Sequence, residues 1–247
     1  MLHALHGNFG SPADWDAVLS GLSTPVPVRC WNLWEIRRRH PEAATLEGFA
    51  RWLNHQASQE VKTGSDPRIL AGYSLGGRLA LQALTLRPDL WQAAILLGPH
   101  PGLEAPAERY ARLRHDQTWA DYTRQAPWPE LLTDWNTQPV LAGGPAPSAA
   151  EEWRSEIAGA FEDWSLGHQA GGLMASLAGN PVPVLWITGE QDVKFTALGA
   201  AAACVVPLIR HHILPGCGHR LLQQDPQAVR ALVSGFLNSL PSASLLS

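Results

Sequence analysis

Ile69-Leu70-Ala71-Gly72-Tyr73-Ser74-Leu75-Gly76-Gly77 is the stretch on which the reading of this chain turns. Ile69, Leu70 and Ala71 make a short apolar run, and over residues 75–86 apolar side chains recur at helical spacing. The segment therefore predicts a strand, a sharp turn and a helix. Its turn contains Gly72-x-Ser74-x-Gly76, the spacing of a nucleophile elbow. In such a turn the serine takes a strained backbone conformation, and small residues two places to either side let strand and helix approach each other. The Ser74 hydroxyl would then stand clear of the sheet with a helix N-terminus aimed at it. Glycine and serine are common, so the flanking strand and helix give the pattern its weight; the alternative is an ordinary turn with a buried serine.

Outward from the elbow, strands and helices alternate. Residues 2–5 predict a strand running into His6-Gly7-Asn8-Phe9-Gly10, and Ser11-Pro12-Ala13-Asp14 has the capping residues of a helix start. A second strand is expected over residues 26–33, a solvated loop at Arg37-Arg38-Arg39-His40-Pro41, and an amphipathic helix over 47–58. The strand after the elbow helix covers 93–97. Strand signals then vanish from 101 to 180, where the patterns are helical and rich in Trp, Arg and Ala. Strands return at 182–188 and 205–214, with helices near 195–203 and 226–240. This order predicts an α/β fold with a mostly parallel sheet flanked by helices. It is one domain, with core 1–100 and 181–247 and a helical lid at about 101–180.

Composition narrows the class. The 247 residues carry 45% hydrophobic and 16% charged side chains, ample for a sizeable core, and a net charge of −4. That charge argues against nucleic acid or an anionic membrane as the main partner. Arginine dominates the 18 basic residues, Lys62 and Lys194 being the lysines, and arginine suits bidentate capture of carboxylates. Cys30, Cys204 and Cys217 have no metal-like spacing and suggest a reducing compartment. With no signal-peptide pattern and no apolar run long enough to span a bilayer, the expectation is a cytoplasmic protein without a membrane span.

A serine hydroxyl needs an imidazole to take its proton and a carboxylate to orient that imidazole. In a fold with this elbow the acid and the histidine follow later strands, in the order Ser, Asp, His. Gly189-Glu190-Gln191-Asp192 follows the 182–188 strand, and Pro215-Gly216-Cys217-Gly218-His219 follows the last one. Ser74, Asp192 and His219 are the expected triad, with Glu190 as rival acid. The oxyanion hole is expected from the backbone N–H groups of Leu75 and Asn8.

With these residues placed, the chain resembles the 2-succinyl-6-hydroxy-2,4-cyclohexadiene-1-carboxylate synthase family of menaquinone or phylloquinone biosynthesis, which has the α/β-hydrolase fold. The matching stretches are Gly72-Tyr73-Ser74-Leu75-Gly76-Gly77-Arg78, His100-Pro101-Gly102-Leu103 and Glu108-Arg109-x-x-Arg112. Asp134-Trp135-x-x-Gln138-Pro139-Val140 and Gly189-Glu190-x-Asp192-x-Lys194-Phe195 extend the match over the first part of the lid and into the second core half. Two departures stand out: the N-terminal hairpin common in the fold is truncated, and the oxyanion loop reads His-Gly-Asn where an apolar third residue is usual. Residues 141–180 match weakly.

The resemblance implies elimination of pyruvate from a cyclohexene bearing succinyl, carboxylate and enolpyruvyl groups, with no metal or cofactor. Ser74, activated by His219 and Asp192, would remove the proton α to the succinyl ketone, and the enolate oxygen would sit at Asn8 and Leu75. The substrate would be a small polycarboxylate, held by Arg78, one helical turn past Ser74, and by Arg109 and Arg112 at i, i+3 on the first lid helix. The other reading makes Glu108 and Arg112 a surface pair and Arg78 a strut. Tyr73 and Trp135 are expected either to line the ring pocket or to pack. Two rivals remain: a hydrolase of a small ester, thioester or C–C bond with Ser74 as nucleophile, and a binding module that keeps the fold without catalysis.

Overall fold

The computed structural model describes residues 1–23, 26–59, 67–141, 144–145, 147–169, 171–179 and 181–240. Lys62 and residue 180, the expected end of the lid, lie outside the described residues. The first half of the chain runs β1 (Leu2–Leu5), α1 (Asp16–Leu19), β2 (Val28–Trp31), α2 (Leu33–Arg39), α3 (Leu46–Gln59), β3 (Ile69–Tyr73), α4 (Leu75–Leu86) and β4 (Ala93–Leu97). The helical stretch then holds α5 (Pro106–Gln125), α6 (Trp128–Asn136), α7 (Arg154–Asp163) and α8 (Leu173–Ala178). The second half closes with β5 (Val184–Gly189), α9 (Val193–Val205), β6 (Ile209–Leu214), α10 (Leu221–Gln224) and α11 (Pro226–Ser239).

Among the described residues the strands form one six-stranded sheet in the order β2-β1-β3-β4-β5-β6, and every pairing is parallel. From β1 the chain moves outward to β2, then crosses back to lay β3 on the other side of β1 and continues to β6. The order therefore reverses between β1 and β3, and a crevice opens beyond the carboxyl ends of strands at such a point. There Leu5 pairs with Gly72, so the His6-Gly7-Asn8 loop and the elbow leave the sheet side by side.

The pleat sends alternate side chains to opposite faces. Leu70, Ala94, Leu96 and Trp186 pack with residues of α3 and α4 on one face. Ala71, Ile95, Leu97 and Ile187 pack with Trp15, Val229 and Val233 on the other. With both faces covered, β3, β4 and β5 are buried throughout, which accounts for their unbroken apolar runs.

Three expectations need correction. The second strand ends at Trp31, because the Asn32 side chain accepts from the Trp34 N–H (3.0 Å) and the Glu35 N–H (3.3 Å) and starts a helix. Arg37, Arg38 and Arg39 then form the last turn of α2, where cations complement the helix dipole, and no solvated loop exists there. Arg37 Nη2 reaches Asp163 (2.6 Å), while Arg38 Nε reaches Glu156 (2.8 Å) with its guanidinium 4.1 Å from the Trp153 ring. The run thus ties the core to α7. At the other end, α9 continues to Val205 and β6 begins only at Ile209.

Between β4 and β5 the described residues are helical apart from short turns and a single bridge residue at Leu103. The Trp164 indole donates to the Ala43 carbonyl (3.2 Å), a second tie between this stretch and the core. No described helix is long and apolar enough to cross a membrane.

Candidate active site

Ser74 has φ 52° and ψ −109°, in the left-handed half of the map where an L side chain is strained. What holds it there is contact on both sides. A Cβ on Gly72 would run into the Gly76 carbonyl, and one on Gly76 would collide with the Leu5 carbonyl. The Ser74 N–H donates to Leu97 O (2.9 Å) and the Gly76 N–H to His6 O (3.1 Å), so β4 and the end of β1 both grip the turn. The elbow is as the spacing predicts, and Ser74 caps α4.

Asp192 follows β5 and caps α9, its Oδ1 facing the Phe195 N–H at 3.5 Å. Its Oδ2 lies 2.6 Å from His219 Nδ1, and His219 Nε2 lies 2.9 Å from Ser74 Oγ. Asp192 and His219 are both buried. With a proton on Nδ1 for the carboxylate, Nε2 is left to accept from the serine hydroxyl, which is the arrangement a base needs. Room for the ring comes from Gly98, where a Cβ would stand 2.9 Å from His219 Cε1. Glu190, the rival acid, is exposed and accepts from the Gly216 N–H (2.9 Å), away from the imidazole. His211 bonds Thr188 Oγ1 (2.7 Å) on the sheet.

Asn8 and Leu75 both border the cavity over Ser74, and neither N–H meets an acceptor among the described residues. Leu75 is the first residue of α4, so its amide has no partner within the helix. The loop that presents Asn8 is fixed by His6: Nδ1 donates to Gly7 O (2.8 Å) and Nε2 accepts from the Leu33 N–H (3.0 Å). Burial lowers the His6 pKa to about 4 and keeps it neutral. The Asn8 amide Oδ1 accepts from the Phe9 N–H (3.1 Å), and Phe9 takes φ 51°.

The expected arginines separate. Arg78 and Arg112 line the cavity; Arg109, half-buried one turn earlier on α5, does not. Of the pair on that helix only Arg112 reaches the cavity, because α5 turns its Arg112–His115–Asp116–Trp119 side inward. Arg112 pairs with Asp116 (2.7 Å) rather than with Glu108, and Asp116 is itself buried and accepts from Ser165 Oγ (2.6 Å). Arg78 donates to the Trp164 carbonyl (2.9 Å). Its pKa is brought down to about 9, chiefly by burial and next by the nearby Arg112 charge.

The aromatics also separate. Trp135 faces the cavity and packs on Phe9 at 4.7 Å between centroids. Tyr73 does not line it: its ring lies against Gly7 and 5.6 Å from His219, bordering an adjoining hollow that shares Asn8, Ser74 and Trp135 with the cavity. Arg220, also on that hollow, donates to the Asn136 side chain and the Pro145 carbonyl.

Lys194, Phe195, His100 and Asp116 also line the cavity without having been singled out from the residues alone. For the first three the available signal was their place in the matched His-Pro-Gly-Leu and Asp-x-Lys-Phe segments. Asp116 carried one too, four residues past Arg112. Among the described residues no group of three or more His, Cys, Asp or Glu is placed to hold a metal ion.

A model of the α/β hydrolase family matches residues 4–232. The 2-succinyl-6-hydroxy-2,4-cyclohexadiene-1-carboxylate synthase of Pectobacterium atrosepticum is 32% identical over 96% of this chain and 93% of its own length. The synthase of the same name from Yersinia pseudotuberculosis is 34% identical over 98% and 89%. Among solved structures, MenH from S. aureus superposes with a TM-score of 0.84 at 21% identity, covering 96% of this chain and 92% of that one. NosK from Streptomyces actuosus gives 0.73 at 20%, covering 97% of both.

Proposed function

This chain belongs to the 2-succinyl-6-hydroxy-2,4-cyclohexadiene-1-carboxylate synthase family of α/β hydrolases, and from that premise we propose how its residues eliminate pyruvate. The substrate is 2-succinyl-5-enolpyruvyl-6-hydroxy-3-cyclohexene-1-carboxylate. Going from a 3-ene to a 2,4-diene takes a proton from C2, next to the succinyl ketone. The electron pair left at C2 forms a C2–C3 double bond, the C3–C4 double bond moves to C4–C5, and the C5–O bond to the enolpyruvyl group breaks. The departing enolate takes up a proton and becomes pyruvate.

The observation that carries the mechanism is the hydrogen-bonded line Asp192–His219–Ser74 at the floor of a cavity walled by cations. His219 draws the proton from Ser74 Oγ, and the oxygen so exposed removes the C2 proton. Charge moves onto the succinyl ketone oxygen, where the Asn8 and Leu75 N–H groups and the N-terminus of α4 stabilise it. One such donor contributes about 3–4 kcal/mol to barrier lowering. Arg78 and Arg112 orient carboxylates, and Trp135 covers the ring. Tyr73 acts from behind, keeping Gly7 and His219 in place. Residues 101–180 serve as a lid, supported by the cavity positions of Arg112 and Trp135. The small-molecule reaction calls for no nucleic acid. A cytoplasmic site of action belongs to this proposal, and the free thiols of Cys30, Cys204 and Cys217 support it.

The test is incubation with the enolpyruvyl cyclohexene carboxylate while pyruvate is followed, beside a parallel assay with an aryl ester. Pyruvate release with little ester turnover is expected. Rapid ester hydrolysis through a trappable acyl-enzyme, with no pyruvate above the uncatalysed rate, would replace this reading by the hydrolase one.

A further inference from the structure

We propose that Lys194 and His100 form a carboxylate subsite on the α9 side of the cavity, which takes one of the substrate's three carboxylates and sets the preference for a tricarboxylate. It rests on the pyruvate-eliminating reading and goes beyond it in assigning a recognition role to two residues outside the triad, the oxyanion loop and the arginines.

Charge balance gives the first reason. The substrate carries a succinyl, a ring and an enolpyruvyl carboxylate. Arg78 and Arg112 face it, but Asp116 offsets one of those charges through its bond to Arg112. Arg78 also has an arm committed to the Trp164 carbonyl. The two arginines with Asp116 leave one net positive charge against three negative ones. Lys194 is the remaining cation that lines this cavity among the described residues.

The second reason is the placing of Lys194. Its ammonium has no ion pair or hydrogen bond among the described residues, and its near contact is the ring of the adjacent Phe195, 5.7 Å away. It occupies the second position of α9, where the positive end of the helix dipole disfavours a cation. Partial burial and then the Arg112 charge lower its pKa, against the smaller opposing pull of the Asp192 and Glu108 carboxylates. A cation held against a helix dipole and a neighbouring guanidinium is relieved by an anion, so the arrangement favours a bound carboxylate.

His100 supplies direction. Its Nδ1 accepts from the Gly102 N–H (3.2 Å), which puts the ring proton on Nε2, and Nε2 has no partner among the described residues. Burial, followed by the Lys194 charge, brings its pKa to about 3, so the ring is a neutral donor at any working pH. The Phe195 ring meets His100 edge-on at 6.0 Å and His219 at 4.4 Å. An anion at Lys194 and His100 is therefore one aromatic ring away from the base, close enough to fix the substrate's distance from Ser74.

The experiment compares wild type with Lys194→Met, Lys194→Arg and His100→Phe, each checked for folding by circular dichroism. KM for pyruvate release should rise roughly 10–100-fold in Lys194→Met with kcat within about threefold, and Lys194→Arg should recover most of it. His100→Phe should raise KM by a smaller factor. In wild type KM should climb at a pH below the ordinary lysine range; in Lys194→Arg that climb should move to higher pH. A second arm needs no turnover: propane-1,2,3-tricarboxylate should bind wild type about tenfold or more tightly than Lys194→Met by calorimetry. Unchanged KM and unchanged tricarboxylate affinity in Lys194→Met would overturn the subsite, as would a loss confined to kcat. Lys194-dependent tricarboxylate binding without pyruvate release in wild type would instead overturn the reaction and leave the subsite standing.

Discussion

His219 Nε2 stands 2.9 Å from Ser74 Oγ although 145 positions separate the two residues in the chain. Neither residue chooses the other locally. Ser74 is delivered by the end of β3 and His219 by the loop after β6, and the parallel sheet puts both ends on one edge. The contact is a product of topology, and its chemistry follows from Asp192 fixing the imidazole from behind.

Removing the Ser74 hydroxyl should therefore abolish proton abstraction while leaving the pocket intact. Ser74→Ala is expected to lower kcat for pyruvate release by roughly 10²–10⁴-fold with KM near wild type. Asp192→Asn should fall in the same range, since the amide permits the wrong tautomer of His219. A coupled pyruvate assay across substrate concentration checks both.

Asp116 holds Arg112 by Nε and Ser165 by its hydroxyl, and it is buried. Asp116→Ala should free the guanidinium to swing and leave the Ser165 hydroxyl without its acceptor. KM is expected to rise about tenfold, with a stability loss of about 1–3 kcal/mol because Arg112 is partly solvated. Denaturant unfolding beside steady-state kinetics separates the two effects.

The elbow has no space for a methyl at its fifth position. A Cβ on Gly76 meets the Leu5 and His6 carbonyls, which belong to rigid backbone. Gly76→Ala should either fail to fold or lose several kcal/mol, while Gly235→Ala, whose Cβ meets nothing, should match wild type or exceed it slightly. Thermal unfolding of the pair is the measurement.

Acid should unfold the protein through its buried histidines. His6 titrates at about 4 in the fold against 6.5 when free. Between those values the unfolded chain binds the extra proton, so stability rises with pH through the window. Its contribution is complete above about 6.5, lost progressively as pH falls to 4, and comes to about 3 kcal/mol. His3 and His100, each brought down to about 3, act with the same sign. Urea unfolding at pH 7 and pH 4.5 should show the loss, and His6→Asn should shrink the difference.

What the sequence made legible was whatever depends on local pattern. The Gly-x-Ser-x-Gly turn, the apolar runs of β3 to β5 and the order of Ser74, Asp192 and His219 each carry a short-range signature. The choice between Glu190 and Asp192 was also local in cause but needed distance: Asp192 reaches the imidazole because it caps α9, while Glu190 turns to the Gly216 amide. The lid was harder. Helical spacing places Arg109 and Arg112 on one face, yet which part of that face looks inward depends on how α5 lies against α7 and the core. Likewise Arg37 and Arg38 read as a solvated loop because their acidic partners, Asp163 and Glu156, lie over a hundred residues away, whereas Arg39 does face solvent and pairs with Glu35 on its own helix. Tyr73 falls with Ala71 on one face of β3 and borders only the adjoining hollow, a consequence of the strand pleat that adjacency to Ser74 conceals.

Arg220 is joined by a single peptide bond to His219 and grasps Asn136 and Pro145 of the helical insertion with its guanidinium. Those two bonds tether the residue beside the imidazole to the insertion, so the wall of the cavity and the base that works in it are fastened together as one piece.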